Sequence, residues 1–158
     1  MKNIATILFA FIITATTAQD AAFEKFYKSN KEKSTFSINL SASLAGSFLD
    51  DEDDSDLMNV IKKSSDFKVM VFNNDDYTVA KGFKKFKRRN NLKTYVRVKD
   101  NGSKAELYFV EKNNLIREII IRANSNNDKL VLFGLKTKIT KDELAAMISS
   151  SDIEVTSK

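Results

Sequence analysis

The sequence predicts an α+β domain of two layers, a mostly antiparallel sheet with helices packed over one face. Three observations carry this expectation. Strand-like runs alternate with helical spacings in the first half. Four strand-like runs follow one another without interruption in the second half. Short Asn-, Asp- and Gly-bearing turns join them. The resulting order is α-β-α-β-α-β-β-β-β-α, with no internal repeat and no interdomain linker.

Residues 1–19 come before that domain. Met1-Lys2-Asn3 leads into an apolar run from Ile4 to about Ala15, then Thr16-Thr17-Ala18-Gln19. A charged start, a short apolar stretch and a small-residue exit make up the layout of a secretory signal peptide, with cleavage expected after Ala18 or Gln19. Roughly twelve apolar-rich residues are too few for a bilayer, which needs about 20. The expectation is therefore one exported domain over residues 20–158, with an ordered core from about 23 to 150.

Phe23, Phe26 and Tyr27 recur at helical spacing, followed by a charged connector from Lys28 to Lys33. Phe36-Ser37-Ile38-Asn39-Leu40 alternates and reads as a half-buried strand. Leu57, Val60 and Ile61 return to helical spacing, and Phe67 to Phe72 is a compact apolar run that fits a buried strand. Asp75 or Asp76 suits the N-cap of the next helix, whose apolar side is Val79, Ala80, Phe83 and Phe86 and whose end falls near Asn90-Asn91.

In the meander, Leu92, Thr94, Val96 and Val98 are expected on one face, opposite Lys93, Tyr95, Arg97 and Lys99. Asp100-Asn101-Gly102 and Asn113-Asn114 are tight-turn signals, because Asn and Gly tolerate positive φ. The runs Leu115–Ala123 and Leu130–Lys138 are apolar on both faces and so predict central strands, joined by a turn at Asn124–Asp128. Thr140-Lys141-Asp142-Glu143 is a capping box flanked by Ile139 and Leu144 at staple positions, with Leu144, Met147 and Ile148 as the apolar stripe.

Composition limits the chemistry. The chain has no Cys, His, Trp or Pro. Absent Cys removes disulfides, thiol nucleophiles and a lipid-modifiable residue after the leader. Absent His removes imidazole bases, and the two losses together remove the commonest transition-metal ligands. No catalytic residue, cofactor or metal site is therefore expected. Of 26 basic residues one lies in the leader, which leaves 25 against 21 acidic, a mature charge of +4. That excess favours weak attraction to anions and not dedicated nucleic-acid binding.

Two charge clusters stand out. Asp50-Asp51-Glu52-Asp53-Asp54-Ser55-Asp56 puts Asp56 where a calcium loop requires Gly and Lys62 where it requires Glu, so a solvated loop entering a helix N-terminus fits better. In Lys81-Gly82-Phe83-Lys84-Lys85-Phe86-Lys87-Arg88-Arg89, the residues Lys81, Lys84, Lys85 and Arg88 form a stripe opposite Phe83 and Phe86. They are the candidate anion-binding residues, for a glycan, phosphate or lipid surface. Cations also suit a helix C-terminal end without any ligand. Ser65-Asp66-Phe67-Lys68 matches an S-x-x-K string but falls at a helix-to-strand junction and lacks the partner motifs of acyl-serine enzymes. The formal glycosylation strings at Asn39 and Asn101 are short enough to recur by chance.

The pattern resembles the DUF4252 family, exported bacterial proteins of unknown function found mainly in Bacteroidota. The resemblance rests on Phe23-x-x-Phe26-Tyr27 soon after a leader ending in Ala-Gln, the strands Phe36–Leu40 and Phe67–Phe72, and Leu115-Ile116-Arg117-Glu118-Ile119-Ile120-Ile121. It continues through Leu130-Val131-Leu132-Phe133-Gly134-Leu135 and Ile139-Thr140-Lys141-Asp142-Glu143-Leu144. It implies export but no activity, and this chain lacks the Cys that anchors the family's lipoprotein members. The functional expectation is a non-enzymatic binding or structural module of the bacterial cell envelope, periplasmic or extracellular and soluble after cleavage. It would have no transmembrane segment and no lipid anchor, and its partner would be an envelope protein or an anionic surface. The alternative is an anion-binding module that uses Lys81, Lys84, Lys85 and Arg88. A hydrolase built on a carboxylate pair is the third reading.

Overall fold

The computed structural model describes residues 21–41, 44, 59–60, 62–73, 77–100, 102–125 and 129–150. The leader at 1–19, the acidic run Asp50–Asp56 and the cap at Asp75 or Asp76 lie outside them. So does the centre of the turn at 124–128. The elements are α1 (Ala22–Asn30), β1 (Phe36–Ser41), β2 (Asp66–Asn73), α2 (Tyr77–Arg89), β3 (Lys93–Asp100), β4 (Ser103–Lys112), β5 (Leu115–Ser125), β6 (Lys129–Ile139) and α3 (Lys141–Ser150). A 3₁₀ turn at Lys31–Lys33 follows α1, and Asn59, Val60 and Lys62 are helical between β1 and β2.

The six strands form one open antiparallel sheet in the order β1-β2-β6-β5-β4-β3. The α+β class, the antiparallel sheet and the element order are as expected, and the doubly apolar strands β5 and β6 do occupy its centre. The described turn residues follow their local chemistry. Asn113 and Asn114 take φ of 55° and 59°, the pair of positive values that a two-residue hairpin of matching twist requires, and Gly102 takes 84°. Asn91, at φ 49°, ends α2: the Leu92 N–H reaches the Lys87 carbonyl at 3.1 Å and the Asn91 N–H that of Arg88 at 3.4 Å. This is a Schellman cap with an Asn in the usual Gly position.

The helices are not confined to one face. Helices α1 and α2 lie on the first face, where Phe23, Phe26, Phe83 and Phe86 pack against Met70, Phe72, Tyr108, Ile120, Leu130 and Leu132. Helix α3 and Val60 lie on the second, where Leu144 and Ile148 pack against Phe67, Phe109, Ile116, Ile119, Leu135 and Ile139. The reason lies in the strands: apolar residues on both sides of β5 and β6 need cover on both sides. Among the described residues, cover on the second face stops half-way along the sheet. Beyond it Val69, Val71, Val131, Phe133, Ile121 and Leu107 are only partly buried, and Phe36 on the edge strand is exposed.

Long-range polar contacts fix α1. The Glu118 carboxylate on β5 accepts the Ala22 and Phe23 N–H groups at 2.7 and 2.8 Å, which places an anion at the helix N-terminus. Glu24 pairs at 2.6 Å with Lys68, which is buried on β2. Gly134 lets α1 approach, since a Cβ there would sit 1.9 Å from the Phe23 ring. At α3 the capping box forms as the sequence predicts. The Thr140 N–H donates to Glu143 at 2.7 Å, the Glu143 N–H donates to the Thr140 hydroxyl at 3.2 Å, and Ile139 and Leu144 are buried on either side.

Candidate functional site

Helix α2 crosses the β5-β4-β3 end of the first face, pinned by Val79, Phe83 and Phe86. Its flank stands away from the sheet and leaves a crevice of about 520 Å³ lined by Ala80, Lys81, Phe83, Lys84 and Lys87 from the helix. The sheet supplies Lys104, Glu106, Tyr108 and Arg122. Among the described residues, five cations and one carboxylate thus face one cavity whose walls also carry two aromatic rings. A second cavity of about 400 Å³, between the helical residues near Val60 and α3, holds the Lys63–Glu143 ion pair and no surplus of cations.

Glu106 is the centre of the crevice. Its side chain is 4% exposed, and three cations converge on it. The Arg97 Nε donates to Oε1 at 2.8 Å, the Lys104 Nζ lies 3.1 Å from the same oxygen, and the Arg122 Nη1 donates to Oε2 at 3.1 Å. Tyr108, two residues along β4, adds a further favourable interaction with the carboxylate. Three cations take up most of the roughly four acceptor positions of a carboxylate. Burial works against ionisation here, but the hydrogen bonds from Lys104, Tyr108 and Arg97 prevail and hold the carboxyl at about 2. Burial and the Glu106 charge push the Tyr108 hydroxyl up to about 12. Both groups therefore keep one protonation state throughout the neutral range and are poorly placed to exchange protons there.

The remaining cations are held differently. Lys87 donates to the Thr94 hydroxyl at 3.2 Å and lies 4.5 Å from the centre of the Tyr108 ring. The Arg122 guanidinium lies 6.0 Å from the Phe83 ring centre. Lys81 and Lys84, one helical turn apart on α2, make no ion pair with any described residue.

Of the four residues expected to form the site, the structure places Lys81 and Lys84 in the crevice and leaves Lys85 and Arg88 outside its lining. The crevice runs along the flank next to the core, where Lys87 sits, and not along the side of the helix opposite it. Lys104, Glu106 and Arg122 were beyond sequence reasoning because only the strand register brings them under α2. Arg97 lies opposite Val96 and Val98 as expected, but on the same face as Thr94 and not opposite it. The expected alternation through β3 breaks at Tyr95, where the pairing shifts between Thr94 and Val96. Thr94 therefore lies by Tyr108, Val96 by Leu107 and Arg97 by Glu106. The extra residue re-aims Arg97 onto the carboxylate, a common use of a bulge. A visible signal did exist. Lys104, Glu106 and Tyr108 share one parity of β4, a run of polar groups on what should be a core face.

The S-x-x-K string forms no site. Lys68 is paired with Glu24, and Ser65 donates to Asp66 at 3.4 Å. Among the described residues no group of three or more His, Cys, Asp or Glu could hold a metal ion, and no helix is long and apolar enough to cross a membrane.

The model of the domain of unknown function DUF4252 matches residues 26–147. The chain belongs to the DUF4252 family. The matched span runs from Phe26 in α1 to Met147 in α3, so every residue of the crevice lies within this DUF4252 domain. The search of curated proteins found no match.

Proposed function

We propose that this DUF4252 domain is a non-catalytic binding module of an exported protein and that its ligand is an anion held between α2 and the sheet. One observation carries the reading: Lys81, Lys84, Lys87, Lys104 and Arg122 face a single cavity in which Glu106 is the one carboxylate among the described residues. A lone buried carboxylate offsets one of those charges, and the surplus raises the local concentration of anions. Fixed protonation of Glu106 and Tyr108 supports binding over turnover. The leader-like residues 1–19, the mature excess of bases and the lack of Cys support a module that works outside the cytoplasm without a lipid anchor. Its partner there would be an anionic component of the cell envelope.

The test compares two double reversals of equal charge. A cation about 5 Å from an anion contributes roughly 0.8 kcal/mol in a water-like dielectric, so reversing two changes binding by about 3 kcal/mol, on the order of a hundredfold. Lys84→Glu with Lys104→Glu should elute from immobilised heparin at much lower salt than wild type. Lys85→Glu with Arg88→Glu, on the same helix but outside the cavity, should shift elution far less. Equal shifts would mean that net charge and not the crevice binds the anion.

A further inference from the structure

The crevice walls say more about the ligand than its charge. We propose that the ligand is a small amphiphilic anion, an oxyanion head such as a phosphate carried on a flat apolar body, and not an extended polyanion. This rests on the anion-binding reading above and specifies its substrate class. A cavity of about 520 Å³ lies within the range of roughly 300–1,000 Å³ typical of small-molecule sites. Lys85 and Arg88, on the same helix, lie outside the cavity lining, so the cations that face one another define a compact site.

The lining is divided by chemistry. Ala80, Phe83 and Tyr108 form an apolar, largely aromatic wall, and Lys81 and Lys84 stand on the helix rim. Between them Glu106 takes the place a ligand's anionic group would otherwise occupy. It already pairs with Arg97, Lys104 and Arg122. A second anion therefore finds the floor cations already paired. Its favourable place is the rim, where Lys81 and Lys84 make no ion pair with a described residue. A head bound at the rim leaves the apolar wall beneath it for the rest of the molecule. Lys87 is fixed by Thr94 and the Tyr108 ring and so keeps that wall in shape.

Three probes test this on the purified mature chain at physiological ionic strength: phenyl phosphate, inorganic phosphate and phenol, each by titration calorimetry. The expected result is that phenyl phosphate binds at least about tenfold more tightly than inorganic phosphate, because its ring leaves water against Ala80 and Phe83. Phenol should bind too weakly to measure. Ala80→Trp, which fills the apolar part of the cavity, should abolish phenyl phosphate binding while the chain still unfolds cooperatively on heating. Equal affinity for phenyl and inorganic phosphate overturns the proposal. Heparin retention that depends on Lys84 and Lys104, with no phenyl phosphate binding, overturns it too while leaving the anion-binding reading in place. Loss of both in the wild-type chain overturns both.

Discussion

Replacing Glu106 with Gln removes a charge and preserves shape, so it isolates the electrostatic role of the residue at the centre of the crevice. A carboxyl drawn from 4.5 to about 2 in the folded chain stabilises the native state by on the order of 3 kcal/mol, at about 1.4 kcal/mol per decade. Glu106 itself is buried, but the Arg97 and Lys104 side chains are 54% and 34% exposed, which screens part of the attraction. The expected cost of Glu106→Gln at pH 7 is therefore about 1–3 kcal/mol. Because the folded-state value is depressed, this stabilisation is complete above about pH 4.5, where the unfolded carboxyl is ionised. It disappears as pH falls through about 2. Urea unfolding of both proteins at a series of pH values reads the difference directly, and carboxylates elsewhere, such as Glu143, cancel in it. The gap should be full at pH 7 and 5, narrow at pH 3 and close near pH 2. A gap that persists unchanged at pH 2 would show that packing and not charge is at stake. No gap at pH 7 would refute the convergence of cations on Glu106.

Two further substitutions probe the packing that positions the crevice. Phe83 is buried and its ring meets those of Phe26, Phe86 and Tyr108 at centroid distances of 5.7 to 5.9 Å. Phe83→Ala should accordingly cost about 3–5 kcal/mol in chemical denaturation, and a loss below 1 kcal/mol would mean that α2 is seated on another face. Gly134→Ala drives a methyl group into the Phe23 ring and should cost about 1–3 kcal/mol. Phe23→Leu in the same chain should return part of that loss, and no recovery would place the strain elsewhere.

The sequence made elements legible wherever local rules decide. The capping box at Thr140 and Glu143, the positive-φ asparagines at 113 and 114, and the apolar faces of α1 and α2 each express a short-range preference. The doubly apolar pattern of β5 and β6 even placed them at the sheet centre. That pattern also implied cover on both faces, a consequence met by α3. Half of the site was legible for the same reason: Lys81 and Lys84 stand at helical spacing on one helix. The other half depends on register. Glu106 and Arg122 are 16 residues apart in the chain and become neighbours only when β4 pairs with β5. Arg97 joins them only through the irregularity at Tyr95, which alternation alone cannot anticipate. Glu118 was likewise hidden, because it caps a helix that starts 96 residues earlier.

The central claim is that one crevice, and not the basic surface at large, receives the anion. Backbone amide shifts followed by NMR during a titration with inorganic phosphate test it most directly. The account predicts saturable shifts concentrated at residues 80–87, 104–108 and 122, which vanish in the chain carrying Lys84→Glu and Lys104→Glu. Shifts that do not saturate, or that follow lysines remote from α2 such as Lys136 and Lys138, would contradict it.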